Sequence, residues 1–99
     1  MDRDGGGGYY KRMAEVIIEF YGIPRERAGL AEMTVQAADV GAALVEVERL
    51  CPGLRGLVAA GRLSPHFRLS LDGRQFLTDE RQPLTEGARL LLLSADAGG

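Results

Sequence analysis

The sequence has few of the residues from which self-contained active sites are built. Its 99 residues include one cysteine, Cys51, and one histidine, His66. A lone cysteine cannot form an internal disulfide, and one Cys with one His cannot complete a structural zinc site. A Ser-His-Asp or Cys-His catalytic arrangement would depend on His66, and no nucleophile motif surrounds it. We therefore expect a protein that binds no metal and is not catalytic alone.

Other signals are missing as well. The glycines from Gly5 to Gly8 lack the following Lys-Ser/Thr of a phosphate-binding loop. No apolar run approaches the roughly 20 residues of a membrane helix, and no signal-peptide pattern opens the chain. A net charge of -2 gives no electrostatic reason to expect nucleic acid or an anionic membrane as a partner. We expect a cytoplasmic protein with neither kind of partner.

The length and composition are those of one globular domain. Residues 1–13 hold four consecutive glycines and are predicted to form a flexible leader. Residues 14–95 should form the domain. Residues 96–99 lack apolar bulk and should form a mobile tail ending on Gly98-Gly99.

The first half of the chain predicts two strands and a helix. Glu15 to Tyr21 is rich in β-branched and aromatic residues, and alternation turns Val16, Ile18 and Phe20 to one face. Gly22 to Arg25 should break this strand, and Glu32 to Gln36 should return antiparallel to it, with Met33 and Val35 inward. Asp39 is a predicted helix N-cap, and Pro52-Gly53 should end the helix. Its apolar stripe comprises Val40, Ala43, Leu44, Val47, Leu50 and Cys51, the last as a buried structural thiol.

The second half predicts three more strands. Leu54 to Ser64 gives the weakest pattern and suggests a helical turn around Leu57 and Val58. Phe67, Leu69 and Leu71 alternate with polar residues, among them His66, which should be exposed. Asp72-Gly73 is a hairpin signal leading to a strand at Gln75 to Leu77. The run Arg89 to Ser94 should be a central strand beside the first and parallel to it, which gives an α+β fold of two layers.

With these elements in place, the chain resembles the β-grasp (ubiquitin-like) sulfur carriers of the MoaD/ThiS family, most closely the small subunit of molybdopterin synthase. The resemblance covers about residues 14–99. It rests on Phe20 to Gly29, which is similar to an aromatic strand end followed by Arg-Glu-x-x-Gly, on Pro83 to Gly87, and on the final Gly98-Gly99. The chain departs from the family at Gly87-Ala88, where Gly-Asp is usual, and in having no proline before the tail.

The resemblance implies a function for the C-terminus. In the family, an E1-like adenylating enzyme uses ATP to convert the terminal glycine into an acyl-adenylate, and a sulfur donor then yields a thiocarboxylate. Gly99 would carry the reactive group, and Gly98 would let the tail enter a narrow channel. The implied partners are that enzyme and the large subunit of molybdopterin synthase. No cofactor would be bound permanently.

Strand alternation also predicts a docking surface. If Val16, Ile18 and Phe20 face the helix, Ile17 and Tyr21 face away from it. On the last strand, Leu90 and Leu92 should then be buried, and Leu91 and Leu93 should join Ile17 and Tyr21 on the helix-free face. An apolar patch beside the tail is typical of a partner-binding surface, although packing against a second copy would also cover it.

Three other functions remain open at this stage. The same chemistry could supply sulfur for thiamine, cysteine or tRNA thiolation. The chain could be a ubiquitin-like modifier that joins Gly99 to lysines of other proteins, and its own single lysine, Lys11, lies in the leader. It could also be a non-catalytic interaction module whose tail is idle.

Overall fold

A computed structural model describes residues 12–56, 58–59 and 61–95. Within these ranges two α-helices, Ile23–Ala28 (α1) and Val40–Leu50 (α2), accompany a 3₁₀ helix at Pro52–Leu54. The strands are Ala14–Phe20 (β1), Glu32–Ala37 (β2), Val58–Ala59 (β3), Arg62–Leu63 (β4), Phe67–Leu71 (β5), Gln75–Leu77 (β6) and Arg89–Ser94 (β7).

Five strands form one mixed sheet in the order β2-β1-β7-β5-β6, and β3 and β4 form a separate hairpin. The last strand lies at the centre, parallel to β1 and antiparallel to β5. The predicted α+β architecture and the central, parallel position of the last strand are therefore confirmed. Because β1 and β7 run in the same direction, their carboxyl ends meet at one end of the sheet.

The core lies between one face of this sheet and α2. Alternation on β1 buries Val16, Ile18 and Phe20 to 1% exposure or less, and Leu90 and Leu92 of β7 are fully buried. Complete burial of a large aliphatic or aromatic side chain contributes about 1.5–3 kcal/mol each. The predicted parity of both central strands is confirmed.

The long helix begins and ends as its sequence predicts. The Asp39 carboxylate accepts a hydrogen bond from the Ala42 amide at 2.9 Å, which satisfies one free amide of the first turn. Cys51 is 2% exposed, its Sγ lies 3.7 Å from the Met33 sulfur, and burial raises the pKa of the thiol. The prediction that Leu50 belongs to the buried stripe is wrong, because its side chain remains 44% exposed at the helix end.

The segment after β1, predicted only to break the strand at Gly22 to Arg25, forms the helix α1. α1 has Pro24 in its first turn, where the missing amide costs nothing, and Gly29 ends it in the left-handed region with φ 77°. The helix packs beside the 3₁₀ helix so closely that a Cβ on Gly53 would lie 2.0 Å from the Arg27 carbonyl oxygen. Glycine at position 53 therefore permits this contact between the two helices.

The predicted helical turn around Leu57 and Val58 is also wrong. Val58 is fully buried and begins the β3–β4 hairpin, where it pairs with Leu63. Leu57 itself lies outside the described residues. The hairpin is short and contacts α2, so its stability comes from tertiary packing and not from local periodicity.

The β5–β6 hairpin follows its prediction closely. Asp72 and Gly73 both have positive φ, 55° and 72°, as the central residues of a type I′ turn require. Arg74 is a third residue in the connection, because the register pairs Leu71 with Gln75. His66 is exposed, as expected, but it lies in the turn before β5 and not in the strand. Ser70 departs from the polar pattern because it is only 7% exposed. No helix among the described residues is long and apolar enough to cross a membrane.

Candidate functional site

The terminal glycines Gly98 and Gly99, predicted to carry the chemistry, lie outside the described residues, which end at Ala95. The structure does describe the point from which residues 96–99 continue. There the Ala95 amide donates to the His66 carbonyl at 2.7 Å, and the Tyr21 amide donates to the Leu92 carbonyl at 3.0 Å. The chain is thus hydrogen-bonded up to Leu92 on the β1 side of β7 and up to Ala95, its last described residue, on the β5 side.

The sheet face opposite α2 meets this same end of β7. Direct cross-strand partners share a face, and the register pairs Glu19 with Leu91 and Arg68 with Leu93. Leu91, Leu93 and Ile17 are partly buried there, and Tyr21 is 44% exposed. The structure therefore places the four predicted docking residues on the helix-free side of the central strands.

Three further residues enlarge this helix-free face beyond the sequence prediction. Ser70 lies between Leu91 on β7 and Phe76 on β6, and these neighbours account for its burial. The Arg68 guanidinium stacks 5.3 Å from the centre of the Phe76 ring. Phe76 is 57% exposed. The Asp72-Gly73 signal alone would not place it there, because a two-residue loop would pair Phe76 with the buried Leu69, whereas the register pairs Phe76 with Ser70.

Charged side chains cover the β1–β2 half of the helix-free face. The Glu19 carboxylate accepts short hydrogen bonds from the Tyr21 hydroxyl and the Arg89 guanidinium. Arg89 also lies 4.0 Å from Glu32, which stands directly across from Glu19 on β2. One guanidinium thus offsets two adjacent carboxylates, which would otherwise repel each other.

These contacts shift the pKa values of the groups involved. The Tyr21 hydroxyl, and next the Arg89 guanidinium, hold the pKa of Glu19 below its ordinary value of 4.5. The same hydrogen bond to Glu19 raises the pKa of Tyr21. The Glu19 side chain is 17% exposed and that of Arg89 is 47% exposed, so solvent screens the ion pair in part. The contacts thus favour the ionised forms of Glu19 and Arg89 and the neutral form of Tyr21, since the pKa of Arg89 is raised by the same hydrogen bond to Glu19.

The described residues contain no group of three or more His, Cys, Asp or Glu side chains able to hold a metal ion. A hollow of about 590 Å³ opens beside Met13, Leu84 and Thr85 at the start of β1. It lies at the opposite end of the sheet from Ala95. The end of the sheet at Ala95 therefore carries the partly buried Leu91 and Leu93 and the exposed Tyr21.

Replacing Glu19 with Gln should flatten the acid dependence of stability. Because its folded pKa lies below the unfolded value, ionised Glu19 stabilises the fold above about pH 4.5, and this contribution is lost as the pH falls through the folded pKa. Between neutral pH and about pH 3, the free energy of unfolding should fall by about 0.5–1 kcal/mol more in the original chain than in Glu19→Gln. This difference is the contribution typical of a surface ion pair. Urea unfolding across this range measures the difference. Tyr21→Phe should flatten it in part, and parallel pH profiles for all three chains would contradict the assignment.

Solved structures with a similar fold identify the fold of this chain. No family model matches the chain, and the curated proteins searched give no significant match. Among solved structures, SAMP1 from Haloferax volcanii superposes with a TM-score of 0.73 at 22% identity, covering 87% of this chain and 100% of that one. The HVO 2177 protein of Haloferax volcanii superposes with a TM-score of 0.70 at 26% identity, covering 100% of this chain and 99% of that one.

Two further solved structures share this fold. One is a putative molybdopterin converting factor, subunit 1, from Pyrococcus furiosus, with a TM-score of 0.67 at 13% identity, covering 82% of this chain and 97% of that one. SAMP1 of Methanosarcina acetivorans, a small archaeal modifier protein, gives a TM-score of 0.72 at 20% identity, covering 89% of this chain and 99% of that one. The chain therefore has the ubiquitin-like β-grasp fold that small archaeal modifier proteins share with a MoaD-like subunit.

Proposed function

We propose that the chain is a sulfur carrier whose C-terminal Gly99 is adenylated by a partner enzyme and then converted into a thiocarboxylate. The observation that carries the proposal is the placement of β7. This central strand is hydrogen-bonded as far as Ala95, at the edge of an apolar helix-free face, and it leads into Asp96, Ala97, Gly98 and Gly99. A fold shared with modifier and converting-factor proteins supports the same role.

The chemistry needs a partner because a carboxylate is a poor electrophile. A Gly99 carboxylate oxygen attacks the α-phosphorus of ATP, and pyrophosphate leaves with the electrons of the broken P–O bond. A hydrosulfide or persulfide sulfur then attacks the acyl carbon, and AMP leaves. With hydrosulfide the products are the thiocarboxylate, AMP and a proton. With a protein persulfide, a reducing thiol must then cleave the S–S bond.

In this reaction the chain itself positions Gly99 relative to the surface that binds the partner enzyme. Four residues span at most about 14 Å, so the active site that receives Gly99 must lie close to the surface that docks the domain. Leu93 and Tyr21 lie nearest the point of departure, and Ile17 and Leu91 continue the surface along the sheet. Glycine at both terminal positions removes side chains that would obstruct a narrow entrance.

For the recipient of the sulfur, we propose a pterin precursor, with the chain acting as the small subunit of molybdopterin synthase. The features in favour are the Arg-Glu-x-x-Gly segment at Arg25 to Gly29, which forms α1 and its cap, and the converting-factor subunit among the similar structures. The large synthase subunit would then dock on the helix-free face after the activating enzyme has left it. Carriers for thiamine, cysteine or tRNA thiolation would use the same first steps.

A second candidate is a ubiquitin-like protein modifier. The structures with TM-scores of 0.73 and 0.72 are both SAMP1 proteins, and the name of the second is small archaeal modifier protein 1. In this role the activated Gly99 would form an amide with a lysine of another protein. Lys11 is the only lysine in the chain, and every other basic side chain from Arg12 onward, His66 aside, is arginine. A chain of copies joined through lysines of the β-grasp domain is therefore impossible.

Intact-mass spectrometry separates the carrier from an idle interaction module. The full chain is incubated with ATP, a sulfide source and the adenylating enzyme encoded in the same genome. We expect the mass to rise by the exchange of one oxygen for one sulfur, located at Gly99 by fragmentation. A chain lacking Gly99 is the control and should keep its mass. An unchanged mass for the full chain would contradict the carrier role, and a covalent adduct to a target lysine would favour the modifier.

Docking is tested by Leu93→Glu. A charge on the apolar face, at the end nearest the tail, should weaken binding to the adenylating enzyme at least about 30-fold, the effect of losing a residue worth 2 kcal/mol or more. Val45→Glu is the matched control, since Val45 is 44% exposed on α2, in the layer on the other side of the sheet. Isothermal titration calorimetry measures both, and urea unfolding confirms that Leu93→Glu remains folded. Equal affinity for the two variants would place the docking surface elsewhere.

A further inference from the structure

The outer edge of β2 is a second candidate interaction surface. β2 is the terminal strand of the sheet, and among the described residues it pairs with β1 alone. The opposite terminal strand, β6, has three residues, whereas β2 has six. A six-residue edge is long enough to accept another extended segment by strand addition.

The ladder shows which backbone groups face outward. The Phe20 amide donates to the Ala31 carbonyl at 2.8 Å, so this pair is hydrogen-bonded across the two strands. Hydrogen-bonded and non-hydrogen-bonded pairs alternate in antiparallel sheets. The amide and carbonyl groups of Glu32, Thr34 and Gln36 therefore point away from β1. Their side chains lie on the helix-free face, opposite the buried Val35 and Ala37.

The edge lacks three of the features that usually block strand addition, namely lysine, proline and a β-bulge. Natural edge strands are protected by lysine, proline, a β-bulge or very short length. The sequence of β2, Glu-Met-Thr-Val-Gln-Ala, contains neither lysine nor proline. Its register with β1 continues over six successive pairs without a bulge.

The charge on the edge selects the kind of segment that fits. Glu32 is 59% exposed, and Glu19 stands directly across from it on β1. Arg89 reaches both carboxylates from the β7 side, 4.0 Å from Glu32. Two carboxylates and one guanidinium leave this cluster with one excess negative charge. A strand added outside β2 would place a side chain directly opposite Glu32, where a basic residue is favoured.

A hollow extends the surface beyond the first residue of β2. It has a volume of about 500 Å³ and is lined by Gly22, Arg25, Glu26, Gly29, Leu30 and Ala31. Leu30 is 42% exposed at its rim. A segment running antiparallel to β2 would direct its C-terminal residues toward this hollow, where an aliphatic side chain can cover Leu30.

We infer that β2 binds an extended segment of another protein by antiparallel strand addition, with a Lys or Arg opposite Glu32 and an aliphatic residue following toward Leu30. A second copy of the chain is the poorer occupant, because β2 has no cation to place opposite Glu32. The inference is independent of the proposed role of Gly99, since it involves neither the tail nor the leucines of β7.

The test uses the full chain and a synthetic peptide that alternates Thr and Val around one central Lys and ends in Leu. Amide chemical shifts in ¹⁵N–¹H spectra should change at Glu32, Thr34 and Gln36 on titration. Thr34→Pro removes one outward-facing amide but no hydrogen bond between β1 and β2, because proline is tolerated where the amide of an edge strand faces solvent. This variant should not bind the peptide. Thr34→Val keeps the amide and should bind like the original chain. Urea unfolding checks that both variants fold.

Exchanging the charges of the peptide Lys and of Glu32 tests whether the two residues face each other. Replacing the peptide Lys with Glu, or making Glu32→Lys in the protein, should each weaken binding about five- to tenfold, and combining the two should restore it. Absence of binding by the Lys peptide would overturn the inference. Peptide binding that survives Thr34→Pro would also overturn it, as would chemical-shift changes confined to Leu91 and Leu93. A dimer that sedimentation detects in the original chain but not in Thr34→Pro would show that a second copy occupies the edge instead.

Discussion

The parallel pairing of β1 with β7 joins the first and last strands of the domain at the centre of the sheet. Ile18 lies beside Leu90 and Phe20 beside Leu92, and all four side chains are buried against the α2 layer. Parallel strands need a crossover connection, which here includes both helices and the remaining strands. The pairing of β1 with β7 therefore closes the domain, because it joins the two ends of a crossover that includes nearly every other element.

The same pairing determines the opposite face of the sheet. Because side chains alternate, burying Leu90 and Leu92 obliges Leu91 and Leu93 to face away from α2. The Glu19–Arg89 contact then links β1 to β7 on that face, and Tyr21 extends it toward Ala95. An apolar strip and a charged cluster thus lie side by side. The free edge of β2 borders the charged cluster, which separates it from the leucines that border the tail.

The elements predicted most accurately are those whose sequence signals lie within a few neighbouring residues. Alternation defined β1 and β7, the Asp39 cap defined α2, and Asp72-Gly73 defined the β5–β6 turn, since each signal lies within a few residues. α1 was missed, although Pro24 and Gly29 are ordinary helix start and stop signals, because a six-residue helix has little periodicity. Val58 was misassigned because its strand is held by packing on α2. The cluster of Glu19, Glu32 and Arg89 could not be predicted, because it depends on the register of three strands.

Hydroxylamine trapping tests the central claim most directly, because it intercepts the acyl-adenylate before carrier and modifier chemistry diverge. With ATP and the adenylating enzyme of the same genome, hydroxylamine should displace AMP and leave a hydroxamate on the carbonyl carbon of Gly99, located by fragmentation of the C-terminal peptide. Omission of ATP should abolish the product. A chain that gains no hydroxamate, or gains it at the carboxylates of Asp or Glu side chains, would contradict a carrier built to present its C-terminus.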